Sequence, residues 1–97
     1  MKIGVCKVKL RLPGNRSLKG KRQVLRSIKD RLRNKFNISV AEVEDHQLWQ
    51  LMTLGLACVS NDTRHLNEVM SKVVNFIESI KGDAELLDYE VEIIHDL

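Results

Sequence analysis

The sequence predicts an α+β fold in which strands and helices follow the order β-α-β-β-α-β, and three observations lead to this prediction. Segments near both ends of the chain alternate apolar and charged residues, with the period of a half-buried strand. Two segments carry apolar residues at helical spacing behind capping residues. The apolar middle of the chain accommodates the two remaining strands. With 97 residues, 43% of them hydrophobic and 30% charged, we expect one globular domain spanning residues 1–97.

The first part of the chain predicts one strand and one helix. Residues 3–12 place apolar side chains on one parity and basic side chains on the other, as in a strand with one buried face. The Pro-Gly-Asn sequence that follows predicts a turn. Ser17 is suited to cap a helix, because apolar residues then recur at helical spacing from Leu18 to Leu32. We expect this helix to cover about residues 18–35.

The middle of the chain predicts two strands joined by a polar hairpin. The first of them is expected near residues 37–44. Residues 48–59 form a long apolar run, which is compatible with a buried helix or a strand. We interpret it as a strand because Gly55 lies within the run and Thr53 and Val59 are β-branched. Apolar residues on both parities indicate a central strand.

The last part of the chain completes the fold. Residues 60–62 offer caps for a second helix, which we expect to end near Gly82. The alternation of apolar and acidic residues from Leu87 to Ile93 predicts a fourth strand. This order is typical of a ferredoxin-like sandwich. Right-handed crossovers then place both helices on one face of a four-stranded antiparallel sheet with the strand order 4-1-3-2.

The net charge of +3 hides an uneven distribution along the chain. Residues 1–35 hold 13 Lys and Arg and one acid, a net charge of +12, whereas residues 36–97 hold 3 basic and 12 acidic residues, a net charge of −9. Such asymmetry favours a polyanionic partner. The alternative is that the two parts neutralise each other, with the basic residues of strand 1 beside Glu90 and Glu92 of strand 4.

The predicted first helix carries a set of basic residues, here called the basic stripe, that such neutralisation does not explain. The stripe consists of Lys19, Arg22, Arg26, Lys29 and Arg33. Spacings of 3 and 4 residues put them on one side of the helix over about 21 Å. Like charges at these spacings repel each other, a cost that a bound polyanion would offset. The alternative is a solvated face, or a partner for the acidic residues Glu68 and Glu78 of the predicted second helix.

We therefore predict an RNA-binding face on and around this helix. It comprises Arg16, Lys19, Lys21, Arg22, Arg26, Lys29 and Arg33. A second candidate site is an anion site at the helix N-terminus, at Ser17 and Gly20, where free backbone N–H groups can bind an anion. The segment is not a phosphate-binding P-loop, because the glycine spacing differs and Arg22 stands where Ser or Thr would hold magnesium.

The other chemistry-bearing residues predict no catalytic or metal site. The three His lack the spacing of a zinc site, and no Ser/His/Asp or Cys/His arrangement is evident. Cys6 and Cys58 are expected to be buried and reduced, as in a cytoplasmic protein. No apolar run is long enough to span a membrane. We expect a non-enzymatic cytoplasmic protein without cofactor, metal or membrane partner.

The solvent face of the sheet supports an alternative function. Trp49 is the only aromatic residue on the predicted central strands, so stacking of RNA bases on the sheet is not expected. With helices on one face only, apolar residues such as Trp49, Leu51 and Ala57 are left on the other. An uncovered apolar patch usually marks an interface. The alternative is therefore a protein-interaction module or a homodimer formed through the outer sheet face.

Several motifs resemble one protein family. They are Arg11-Leu12-Pro13-Gly14, Ser17-Leu18-Lys19-Gly20-Lys21-Arg22, Arg31-Leu32-Arg33, Phe36-Asn37, Ser39-Val40-Ala41-Glu42-Val43, Leu48-Trp49 and Val59-Ser60-Asn61-Asp62. The chain resembles the YlxP-like bacterial proteins, a domain of unknown function, over essentially its whole length. The resemblance implies a ferredoxin-like fold and no established catalytic residues. It also implies ribosome or RNA biology by association, since members are often encoded near genes for translation initiation factor two and ribosome-binding factor A.

Overall fold

The protein forms a four-stranded antiparallel sheet with two helices. A computed structural model describes residues 1–95. Its elements are β1 (Lys2–Arg11), α1 (Leu18–Lys35), β2 (Ser39–Glu44), β3 (Leu51–Ser60), α2 (Thr63–Ser79) and β4 (Glu85–Ile94). The sheet has the order β2-β3-β1-β4, and every neighbouring pair is antiparallel. The predicted topology and strand order are confirmed. No helix within residues 1–95 is long and apolar enough to span a membrane.

Local capping sets the ends of both helices. The Ser17 hydroxyl accepts a hydrogen bond from the backbone N–H of Gly20 at 3.0 Å, and α1 begins at the next residue after Ser17, as expected. The Asp62 carboxylate accepts a hydrogen bond from the backbone N–H of Arg64 at 2.9 Å and starts α2. Helix α2 ends at Ser79, earlier than expected. Gly82 lies in the following loop with a φ of 92°, a conformation that favours glycine.

The core lies between the helices and one face of the sheet. β1 and β3 each contribute alternate side chains to the core. These buried residues are Cys6, Val8, Leu10, Met52, Leu54, Leu56 and Cys58. Helix α2 buries five apolar residues, whereas α1 buries only Ile28, Leu32 and the charged Lys21. Nine of the 18 residues of α1 are exposed.

Strand β3 begins later than the apolar run predicts. It starts at Leu51 rather than residue 48, because residues 45–48 form a turn in which the backbone N–H of Leu48 donates to the Asp45 carbonyl at 3.0 Å. Asp45 adopts a φ of 66°, a left-handed conformation that Asp tolerates better than most residues. Trp49 consequently lies in the β2–β3 loop and not in the sheet, which corrects the expectation that it occupies a central strand.

The basic residues on the solvent face of β1 are paired with carboxylates of the fold. Lys7 lies 2.6 Å from Glu44, and this hydrogen bond raises the pKa of Lys7. Arg11 lies 2.8 Å from Glu85 of β4. The expectation of neutralisation within the sheet therefore holds for these residues. The closest partners differ from those expected, since Glu90 faces Lys7 across the strands without an ion pair.

The burial of the two thiols predicts that Cys6 reacts slowly with thiol reagents in the folded protein. Cys6 and Cys58 are free and buried, and burial raises the pKa of the Cys6 thiol to about 11. Because the thiolate is the reactive form, we expect Cys6 in a Cys58→Ala variant to react with a thiol reagent at pH 8 at least about 100-fold more slowly when folded than in urea. Equal rates in the two states would contradict this.

The same group predicts a pH dependence of stability. The folded state holds the Cys6 thiol protonated above its ordinary pKa of 9.0. The unfolded thiol ionises first as the pH rises, so the free energy of unfolding should fall between pH 9.0 and about 11. A Cys6→Ala variant should lose this part of the dependence, as measured by urea unfolding at several pH values.

Candidate nucleic-acid interface

Helix α1 places the basic stripe away from the core. At 100° per residue, the five residues fall within an arc of about 80°, centred about 120° from the buried Lys21, Ile28 and Leu32. Lys19, Arg22, Arg26 and Arg33 are exposed, and Lys29 is half-buried. The residues that the spacing grouped together therefore share one accessible side of the helix.

The basic stripe has no carboxylate partner. The salt bridges formed within residues 1–95 involve Lys7, Lys9, Arg11 and Lys21, and none involves a residue of the stripe or Arg16. Among residues 1–95, the stripe makes one polar contact, a hydrogen bond of 3.2 Å from the Arg33 guanidinium to the Val40 carbonyl. This contact orients Arg33 without neutralising it, because the acceptor is uncharged.

Four residues of the stripe line one shallow groove along α1. The groove measures about 470 Å³. Its lining consists of Arg22, Arg26, Lys29 and Arg33 together with Leu25 and Asp30. Guanidinium and ammonium groups arranged along a groove can donate to successive phosphate oxygens of one nucleic-acid strand. The geometry is suited to the backbone of a polyanion.

Lys21 does not belong to this surface, which corrects its inclusion in the predicted face. Its side chain is 2% exposed, and its ammonium lies 2.8 Å from Glu42 Oε2. The ammonium also donates to the carbonyls of Asp45 at 2.5 Å and of Leu48 at 2.8 Å. Two carbonyl acceptors and one carboxylate around the ammonium compensate for the burial of its charge. Lys21 thus joins α1 to β2 and to the β2–β3 loop.

A sequence signal for the burial of Lys21 does exist. Lys21 precedes Leu25 by four residues, Ile28 by seven and Leu32 by eleven, so it shares their face of the helix. The prediction placed Lys21 on the RNA-binding face because of its charge and did not take this spacing into account. The acceptor Glu42 was not identifiable, because it approaches Lys21 only after β2 pairs with β3.

The N-terminus of α1 is occupied by groups of the chain itself. The backbone N–H of Gly20 donates to Ser17, as described above, and the Asn15 amide donates to the Ser17 carbonyl at 2.9 Å. A Cβ on Gly20 would overlap Oδ1 of Asn15, which explains why glycine suits this position. Ser17 and Gly20 therefore serve as a helix cap, and the N–H that was expected to bind an anion is already engaged.

The β2–β3 loop lies against this capping region and carries two exposed apolar side chains. Leu48 is 47% exposed and Trp49 is 53% exposed. The Asn15 amide donates to the Trp49 carbonyl at 2.6 Å, and the Gln50 amide donates to the Asn15 carbonyl at 3.1 Å. The backbone of the loop is therefore held while the side chains face solvent. Sequence reasoning missed this arrangement because it assigned both residues to a strand.

The outer face of the sheet contains a concave region. Its volume is about 770 Å³, and its floor is formed by small or apolar residues that include Val5, Ala41, Val43, Gly55 and Ala57. A Cβ on Gly55 would lie 2.8 Å from Cγ1 of Val43, so glycine allows Val43 to lie over the sheet. Ala57 belongs to this floor as expected, whereas Trp49 does not.

The sequence matches a known family along most of its length. The profile of the family described as "Protein of unknown function (DUF503)" matches residues 3–91. The chain belongs to this family. A curated relative, the "Uncharacterized protein YlxP" of Bacillus subtilis (strain 168), is 40% identical over 63 residues, which are 65% of this chain and 68% of the relative. The YlxP-like resemblance of the motifs is confirmed.

A solved structure also matches this chain over most of its length. It is the structure of a REP-associated tyrosine transposase bound to a REP hairpin, with a TM-score of 0.45 and 14% identity over 98% of this chain. This chain spans 57% of that protein chain. A similarity of this degree carries no argument about function.

Within residues 1–95, no group of three or more His, Cys, Asp or Glu is placed to hold a metal ion.

The contacts of Lys21 predict a large loss of stability when its charge is removed. Lys21→Met keeps most of the apolar stem but leaves the Glu42 carboxylate without its cation. We expect the free energy of unfolding to fall by about 3 kcal/mol in urea denaturation, because removal of one member of a buried ion pair leaves the other charge uncompensated. The matched control Lys19→Met, at an exposed position, should change it by less than about 0.5 kcal/mol. Similar values for the two variants would contradict the assignment.

Proposed function

We propose that this protein is a small cytoplasmic, non-enzymatic protein that binds RNA or a ribosomal component through the basic stripe of α1 and Arg16. The observation that carries the proposal is the groove lined by Arg22, Arg26, Lys29 and Arg33, none of which has a carboxylate partner in residues 1–95. Under this proposal, the anion that neutralises the stripe comes from outside residues 1–95.

Four basic residues outside the stripe are paired with acids of the fold. Lys7, Lys9 and Arg11 on β1 and Lys21 on α1 all lie within 4.0 Å of a carboxylate. Other exposed basic residues, such as Arg31, form no ion pair within residues 1–95 either. The stripe differs from them because its cations lie together along one groove. This arrangement is expected for a face that binds a polyanion.

The dimensions of the stripe suit a nucleic-acid strand. Successive basic residues are about 4.5–6 Å apart along the helix axis, and the stripe spans about 21 Å. Several phosphates can therefore be contacted at once, and displacement of their counterions drives such binding. A small anion would use only one or two of these side chains.

The proposal predicts a steep salt dependence of RNA binding. Contact with four to five phosphates should give a slope of about −4 in a plot of log affinity against log salt concentration, with the B-DNA coefficient as a guide. Fluorescence polarisation with labelled structured ribosomal RNA measures it. The triple variant Arg22→Glu, Arg26→Glu and Lys29→Glu should abolish both the binding and the slope.

A control with the same change in charge makes this test specific. The triple variant Arg64→Glu, Lys72→Glu and Lys81→Glu alters exposed residues of α2 and the loop after it, and should keep most of the affinity. Circular dichroism checks that both variants remain folded. Equal losses in the two variants would mean that only net charge matters, and full affinity in the α1 variant would refute the assignment of the stripe.

The outer sheet face supports a second candidate function, a homodimer or protein-interaction module. The observation in its favour is the concave region of about 770 Å³ with a floor of small apolar residues on the face that no helix covers. Exposed apolar surface of this kind is typical of interfaces. This function is compatible with RNA binding, because a dimer formed through the sheets would leave both copies of α1 accessible.

Sedimentation over a concentration series tests the dimer. Under this hypothesis, the apparent mass of the wild-type protein should rise with concentration. Ala41→Arg, which places a charge in the floor of the concave region, should remain monomeric. Ser71→Arg on the exposed side of α2 serves as the control and should behave as the wild type. A wild-type protein that stays monomeric throughout the series would refute the homodimer.

A further inference from the structure

Trp49 is a large aromatic residue that lies outside the core of the fold. No hydrogen bond, ring pair or cation–π contact of its side chain is formed with the described residues, and the residue is 53% exposed. Its backbone carbonyl accepts a hydrogen bond from the Asn15 amide. Exposure of a large aromatic side chain carries a cost in solvation, which a ligand would remove by covering the ring.

The backbone around Trp49 is held in place on both sides. The Leu48 carbonyl accepts from the buried Lys21 ammonium at 2.8 Å, and the Gln50 carbonyl accepts from the backbone N–H of Leu12 at 2.9 Å. A ligand that contacts the indole therefore meets a fixed support and orders little more than one side chain. Preorganisation of this kind lowers the entropic cost of binding.

The position of the loop links Trp49 to the basic stripe. Asn15, which holds the Trp49 carbonyl, also donates to the Ser17 carbonyl at the start of α1. Arg16 lies between these two residues, and Lys19 opens the stripe in the first turn of the helix. The loop that carries the aromatic ring is thus fixed to the N-terminal end of the row of unpaired cations.

The charges of the hairpin favour a polyanion over a basic protein as the ligand. Each of its three acids is already engaged: Glu42 by Lys21, Glu44 by Lys7, and Asp45 by the Thr53 hydroxyl at 2.6 Å and by Lys9 at 3.8 Å. The hydrogen bond from Thr53 holds the pKa of Asp45 below its usual value, so this carboxylate stays ionised and paired. No unpaired carboxylate of the hairpin is left to attract a basic partner.

We propose that Trp49 is a stacking platform for an unpaired base, and that the RNA bound by the basic stripe is one in which a single-stranded loop or bulge adjoins the bound backbone. The inference rests on the proposed RNA binding and specifies its ligand. A flat aromatic ring beside a row of cations is how proteins commonly hold unpaired nucleotides. The stripe contacts phosphates, and Trp49 distinguishes unpaired from paired RNA.

Intrinsic fluorescence gives a direct test, because Trp49 is the only Trp in the chain. Two RNAs with equal numbers of phosphates serve as probes: a stem with an unpaired loop and a blunt duplex. We expect the stem-loop to quench the fluorescence of the wild-type protein at saturation and the duplex to quench it much less. Quenching that is equal for the two RNAs would overturn the inference.

Affinity measurements with variants complete the test. Trp49→Ala should weaken binding of the stem-loop by about 5- to 150-fold, as expected for loss of one stacked base, with little effect on the duplex and no change in the salt slope. Trp49→Phe should retain most of the affinity. The control Leu48→Ala, at an equally exposed position of the same loop, should bind the stem-loop much as the wild type does.

The outcomes separate the two proposals. If Trp49→Ala binds the stem-loop as well as the wild type while the triple α1 variant does not, the inference fails and the RNA-binding function stands. If Trp49→Ala weakens both RNAs equally, Trp49 supports the structure rather than a base, and the inference also fails. If the wild type binds neither RNA at low salt, both proposals fail. A fluorescence change on addition of ribosomal proteins alone would assign Trp49 to a protein contact instead.

Discussion

The buried ammonium of Lys21 is the contact on which the arrangement of this end of the molecule depends. It joins α1 to Glu42 of β2 and to the carbonyls of Asp45 and Leu48 in the β2–β3 loop. A charge removed from water is tolerated only while its acceptors stay in place, so the helix and the loop are held as one unit. The exposed side chain of Trp49 owes its fixed support to this contact and to the hydrogen bond from Asn15.

The order of the strands determines which basic residues are paired with acids. β2 lies on one side of the central strands β1 and β3, and β4 lies on the other. Acids of the second part of the chain therefore reach Lys7, Lys9 and Arg11. The helices pack on the opposite face, where α1 buries few residues and turns its basic stripe to solvent. The same topology therefore pairs the basic residues of β1 with acids and leaves the basic stripe of α1 without a carboxylate partner among residues 1–95. The uneven distribution of charge along the sequence thus produces a cationic surface on one side of α1.

Local patterns predicted much of the fold because their causes are local. The bounds of α1 follow from the Ser17 cap and the apolar spacing, and the alternation in β1 and β4 follows from one buried face. The predicted start of β3 was wrong because the apolar Leu48 and Trp49 are compatible with a strand. The turn at Asp45 and the hydrogen bonds to Asn15 and Lys21 instead hold residues 48–50 in a loop. Those contacts join residues far apart in the chain, so no local pattern contains them.

By itself the sequence determined the order of elements, the strand order of the sheet and the side of α1 on which the basic stripe lies, because periodicity and capping act over a few residues. Only the tertiary structure decided which cations are free. It withdrew Lys21 from the predicted face and moved Trp49 from the sheet to the β2–β3 loop. The physical reason is that burial and pairing of a polar group depend on partners that approach it only when the chain has folded.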